Sequence, residues 1–332
     1  KSYEDLNDNN DNCPIDIYAD KSSRTLMVVD NAQGMSRQEI IDIFTKTGAK
    51  HKTHRKGGRS LFGKGLSDTL FSPIVEDGEV HSIKDNEYNY AKFVKDKDGE
   101  ENIDIKPDDV SESVTDNIRK KLHIPLNNGT CVIFKLNKSS SFPRMQTMVF
   151  EIRNFYMLRF INSNENRRIT LFYKESEEET RIPIRFQDPA DKARVGEDLN
   201  TEYTFKGYPP IKIHGKLYKT NQRLRHGDTH ETRTGGLLIY DEYKNVMDLQ
   251  LFSFTDSPNA LQFFGHLELN GAYEIIRDYM ESEDETIITD TRDGFDQRSI
   301  FYKELKRKID PWLTKIIAEE QKDSSKHTEL SE

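Results

Sequence analysis

Two cysteines in 332 residues exclude a disulfide framework. Cys13 and Cys131 suit a reducing compartment, or two unpaired buried thiols, so a cytoplasmic location is expected, or a nuclear one in a eukaryote. No apolar run approaches the ~18 residues of a membrane-spanning helix. No signal-peptide pattern opens the chain, and no membrane partner is expected. Positive charge is also short: 49 Lys and Arg against 58 Asp and Glu give a net charge of -9. That balance argues against DNA as a partner of the chain as a whole. A local basic face, Lys50, Lys52, Arg55 and Lys56, is compatible both with phosphates or nucleic acid and with a solvated loop. The pattern GxxxxGK[ST] is absent, which excludes a Walker A loop. His214, His226 and His230 lack metal-ligand spacing.

The chain is long enough for about two domains of ~150 residues. Ile15 to Tyr18 and Thr25 to Val29 predict two strands joined by the turn Asp20-Lys21-Ser22-Ser23. Ser36, followed three residues later by Glu39, predicts a capping box opening a helix through Ile40, Ile41, Ile43 and Phe44. Thr45 to Ser60 is rich in Gly and Lys with no apolar face, and predicts a loop. Val80 to Ile83, Tyr88 to Val94 and Val132 to Leu136 alternate as sheet strands, while Lys95 to Asn117 is acidic and polar. Met145 to Ile161 carries Met148, Ile152, Phe155, Tyr156 and Phe160 at helical spacing. Strands dominate from Ile169 onward. They give way to helices over Ala272 to Met280 and Ser299 to Glu320, and then to a polar tail.

Three stretches carry chemistry. The first is LMVVDNAQGM, Leu26 to Met35: a strand ending in Asp30, then Asn31, then a turn with Gly34 and Met35. A carboxylate ending a strand sits at the mouth of a pocket, and Gly34 lets a ligand approach the backbone. The second is LFGKGLSD, where Gly63, Lys64, Gly65 and Leu66 lead into a helix. Backbone N–H groups at a Gly-rich helix start attract anions, although any tight loop-to-helix turn has the same composition. The third is NNGTCVIFKL, where Gly129 and Thr130 open a strand; Thr130 also reads simply as a β-forming residue.

In this order and spacing the three stretches resemble the GHKL (Bergerat-fold) ATPases, with a following domain similar to the transducer of MutL, MORC and heat-shock chaperone ATPases. The resemblance implies an α+β protein. Residues 1–137 would form a Bergerat-type α/β sandwich, a mixed sheet covered by helices on one face. Residues 138–320 would form an S5-like α+β transducer, and 321–332 a polar tail. It implies ATP as ligand, with Asp30 and Thr130 contacting the adenine amino group. Asn31, Gly34 and Met35 would line the pocket, Gly63, Lys64, Gly65 and Leu66 would meet the phosphates, and Lys50 would lie in a lid over them. Ser60 stands where the family usually has a further Gly.

The same resemblance makes Arg292, in TIITDTRDGFD, the transducer residue that reaches the γ-phosphate; its other reading is a surface ion pair with Asp290 or Asp293. The family takes its base and its Mg²⁺ ligand from one helix, a Glu and then an Asn four residues later. Asp5 and Asn9 have that spacing, but Asp replaces Glu and no apolar face surrounds them. The expectation is that the true helix lies upstream of Lys1. The function implied is Mg²⁺-dependent ATP hydrolysis that closes a lid and clamps a nucleotide-dependent homodimer, within a larger DNA-maintenance, defence or chaperone-like protein. The rival is a catalytically silent module that binds nucleotide only to dimerise.

Overall fold

The computed structural model describes residues 13–45, 65–95, 101–107, 113–125, 128–163, 167–225, 232–282, 286–289 and 294–329. It is an α+β protein with two compact units, Lys1–Arg153 with Ile161–Arg185, and Asn154–Phe160 with Phe186–Glu332.

The first unit is built on β1 (Ile15–Asp20), β2 (Thr25–Asp30), β3 (Val75–Lys84), β4 (Glu87–Lys95), β5 (Glu101–Ile105), β6 (Gly129–Leu136), β7 (Ile169–Lys174) and β8 (Glu179–Ile184). They form one mixed sheet in the order β5-β4-β3-β6-β2-β1-β7-β8. β1 and β7 are parallel, and β7 and β8 carry the sheet past residue 137, where the sequence places the junction. The β1–β2 turn forms because the Asp20 carboxylate accepts the Ser22 and Ser23 amides at 2.8 and 3.1 Å, a side-chain mimic of a backbone turn.

Helix α1 (Arg37–Thr45) opens with the expected capping box. Ser36 N–H donates to Glu39 Oε2 at 2.7 Å, and Glu39 N–H donates to Ser36 Oγ at 3.3 Å. Ile40 of α1 and Leu70 of α2 (Gly65–Leu70) pack on Val80, Ala91 and Phe93, with Val132 and Phe134 beside them. Alternate residues of the same strands face the other way. Val29, Ile83, Cys131 and Ile133 are covered by Ile118 and Leu122 of α3 (Asp116–Leu122). Helices therefore cover both faces of the sheet, not one as expected. The cause is in β6 itself, where Cys131 and Ile133 on one side and Val132 and Phe134 on the other are all apolar.

Two more local readings change. β5 lies in the stretch read as merely polar; it is an edge strand held by Ile103 and Ile105, which pair with Phe93 and Ala91. The helix expected over 145–161 is α4 (Met145–Asn154), a 3₁₀ turn (Tyr156–Leu158) and α5 (Arg159–Asn162). The break is at Phe155, whose backbone is extended (φ -61, ψ 109).

The second unit holds β9 (Ala193–Tyr203), β10 (Ile211–Lys219), β11 (Gly236–Asp241), β12 (Val246–Gln250) and β13 (Phe263–Asn270), in the order β12-β11-β13-β10-β9. Helices α6 (Ala272–Ser282) and α7 (Ile300–Glu329) complete it. Phe205, wholly buried, makes edge contacts with Tyr279 and Phe301 at 4.8 and 5.2 Å between ring centres. α7 continues through part of the stretch read as a tail and contains Pro311. Trp312 Nε1 on this helix donates to the Glu197 carbonyl of β9 at 2.9 Å.

Candidate nucleotide-binding site

Strand register assembles the site. Asp30, the last residue of β2, pairs with Thr130 of β6; Thr130 pairs with Ser82 of β3; Ser82 pairs with Asn89 of β4. Directly paired residues share a face, so these side chains form one polar row across four adjacent strands, on the face that carries α1 and α2. Asp30 Oδ1 accepts the Ala32 amide at 2.9 Å. Burial raises the Asp30 carboxyl above the usual carboxylate range, against the lowering pull of the Ala32 and Thr130 backbone amides.

The turn after Asp30 is locked in place by backbone geometry. Gly34 has φ +68, and a Cβ there would lie 2.1 Å from the Ile83 carbonyl oxygen. A Cβ on Gly129 would lie 2.5 Å from the Asp30 carbonyl oxygen. Two glycines therefore let the Asp30–Gly34 turn press against the ends of β3 and β6. Ser82, wholly buried, ties the same pieces: its Oγ accepts the Met35 amide at 2.6 Å, donates to the Gly129 carbonyl at 3.0 Å, and lies 3.5 Å from Thr130 Oγ1.

Among the described residues, two buried polar atoms of this neighbourhood have no hydrogen-bond partner, Asn31 Oδ1 and Asn89 Nδ2. Such orphans cost roughly 1–3 kcal/mol each and mark sites that something polar completes. Near the strand end the donor set is acceptor-rich: the Asp30 carboxylate, Asn31 Oδ1 and the Thr130 hydroxyl. That fits a ligand edge that donates, such as an exocyclic amine.

The thiols lie close by without joining the row. Cys131 is raised to about 12 and Cys13 to about 11, in each case first by burial and then by the Asp30 charge. Cys131 faces away from Thr130, into the α3 side of the sheet, and behaves as core. That side also carries a buried relay in which His81 bonds Tyr88 Oη at 2.8 Å and Glu79 at 2.7 Å.

The structure thus brings together Asp30, Asn31, Gly34, Met35 and Thr130. Met35 and Leu66 both pack against the cluster around Ile40 and Leu70, and Gly65 is the first residue of α2. Asp5, Asn9, Lys50, Gly63, Lys64 and Arg292 lie outside the described residues. Around Arg292 the flanks are described: Ile288 bridges Phe295, and Thr289 N–H donates to the Gly294 carbonyl at 3.0 Å. Buried Asp248 accepts the Phe295 amide at 3.1 Å, fixing that hairpin root. Among the described residues no group of three or more His, Cys, Asp and Glu is placed to hold a metal ion.

Ser82 and Asn89 went unread in the sequence. Both sit in ordinary alternating strands, and only register shows that they continue the row from Asp30.

No protein-family model matches the chain, and no curated protein matches it. Among solved structures it is similar to the B-subunit of the DNA gyrase from Myxococcus xanthus, with a TM-score of 0.44 and 8% sequence identity, over 91% of this chain and 83% of that one.

Proposed function

We propose that the first unit binds ATP and that the chain hydrolyses it as a GHKL-type motor module. The observation that carries the reading is the desolvated Asp30 carboxylate at the end of β2, in register with Thr130 and followed by a turn that only glycine permits at position 34. A buried acceptor of this kind accepts from the adenine amine and repels a carbonyl in the same place. Gly129 and Gly34 let the turn pack on the ends of β3 and β6, which holds the Asp30 carboxylate in place.

The remaining assignments rest on the resemblance and on the ordered motifs. Gly63, Lys64, Gly65 and Leu66 meet the phosphates, Lys50 belongs to the lid, and Arg292 stabilises charge on the γ-phosphoryl group. When bound, Mg²⁺ neutralises phosphate charge, and Asn9 with Asp5 are this chain's candidates for holding it and positioning water. Nucleotide closes the lid and favours a homodimer in a reducing compartment, and hydrolysis reopens it. The module serves a larger DNA-maintenance, defence or chaperone-like machine.

The test is a titration with a non-hydrolysable ATP analogue, followed by heat and by oligomeric state. Saturable binding with dimer formation supports the proposal. Absence of heat at millimolar analogue overturns it. Binding and dimerisation with no phosphate release from ATP would favour the silent dimerisation module.

A further inference from the structure

We infer that Ser82 is a specificity-determining residue of the base subsite, acting through the Thr130 hydroxyl; this rests on the nucleotide reading above. A serine hydroxyl has one proton and two lone pairs. The Ser82 proton is committed to the Gly129 carbonyl at 3.0 Å, and one lone pair takes the Met35 amide at 2.6 Å. What Ser82 has left for Thr130 Oγ1, at 3.5 Å, is a lone pair and no proton. In that pair Thr130 is the donor. Its O–H points toward Ser82, and its own lone pairs are left for a ligand.

The consequence is chemical. Thr130 and Asp30 stand side by side on neighbouring strands, and both present acceptors. A base edge with an amine satisfies them; a base edge with a carbonyl meets acceptors only. Ser82 touches no ligand in this scheme. It removes from Thr130 the freedom to turn its proton outward and welcome an oxo group. Among the described residues Ser82's partners are backbone atoms and Thr130, and it is wholly buried, so the orientation is set by the fold itself.

The experiment measures, by calorimetry, the affinity ratio between non-hydrolysable triphosphate analogues carrying adenine and its 6-oxo counterpart hypoxanthine. In the unaltered protein the 6-amino form is favoured by about 100-fold or more. Ser82→Ala lowers that ratio about tenfold, because the Thr130 hydroxyl is released to donate. Thr130→Val also lowers it, and adding Ser82→Ala to Thr130→Val lowers it no further, as expected when one residue acts through the other. If Ser82→Ala does not fold, Ser82→Cys, which keeps the side-chain shape at a somewhat larger volume and accepts poorly, is read in the same way. An equal loss of affinity for both analogues, with the ratio unchanged, assigns Ser82 a purely structural role and overturns the inference. If the unaltered protein binds neither analogue, the nucleotide reading itself fails, and the inference with it.

Discussion

Met35 N–H donates to Ser82 Oγ at 2.6 Å, joining the end of the Asp30 turn to the strand two places away in the sheet. The turn is therefore fastened at both ends, at Asp30 by Ala32 and at Met35 by Ser82. Its geometry is fixed before any ligand arrives, which lowers the ordering cost of binding.

Gly34→Ala tests that fastening. The added methyl meets the Ile83 carbonyl at a backbone angle that L-residues avoid. The variant should lose at least ~2 kcal/mol of stability in urea unfolding, and should bind nucleotide poorly even where it remains folded.

Asp30→Asn should stabilise the protein while abolishing nucleotide binding. The sign follows from linkage. A carboxyl raised by burial favours folding when protonated, and that contribution is lost as pH rises through its folded value. At neutral pH the buried Asp30 carboxyl therefore costs stability, and the amide removes the cost. Thermal melts of the ligand-free proteins should show the variant melting higher at pH 7, with the gap narrowing in acid. Nucleotide affinity of the unaltered protein should weaken on acidification, from a higher pH than an ordinary carboxylate would give.

Asp241 offers an independent check in the second unit. It is wholly buried, and burial raises it to about 6 although Asn245 and the Tyr243 amide bond it. Its unfolded value is near 3.9. The unaltered protein should lose stability relative to Asp241→Asn as pH rises from 4 to 6, by roughly 2 kcal/mol. Urea midpoints across that range measure the difference.

Arg292→Ala should leave analogue binding within about threefold and lower turnover by ~100-fold or more, as expected for a group that acts on transition-state charge. An unchanged steady-state rate removes Arg292 from the mechanism.

What the sequence disclosed were features written in contiguous residues. The Asp20 turn, the Ser36–Glu39 capping box and the positive-φ turn at Gly34 after the strand end at Asp30 form as the sequence predicts, because each depends on neighbours a few residues apart. What it withheld depends on pairing between distant strands. Ser82 and Asn89 look like ordinary strand residues until register sets them beside Thr130. β5 has only Ile103 and Ile105 to declare it among acidic residues, and its partner is supplied by β4. α3 covers the second face of the sheet because β6 is apolar on both sides, a pattern visible in CVIF whose meaning needs the sheet. The extended backbone at Phe155 breaks a helical spacing that the apolar pattern alone would carry through.

The most direct test of the central claim is a calorimetric titration of the unaltered protein and of Asp30→Ala, side by side, with the non-hydrolysable ATP analogue. Saturable binding is expected of the first, and an affinity lower by about 100-fold or more of the second. Equal affinities, or no binding by the unaltered protein, would contradict it.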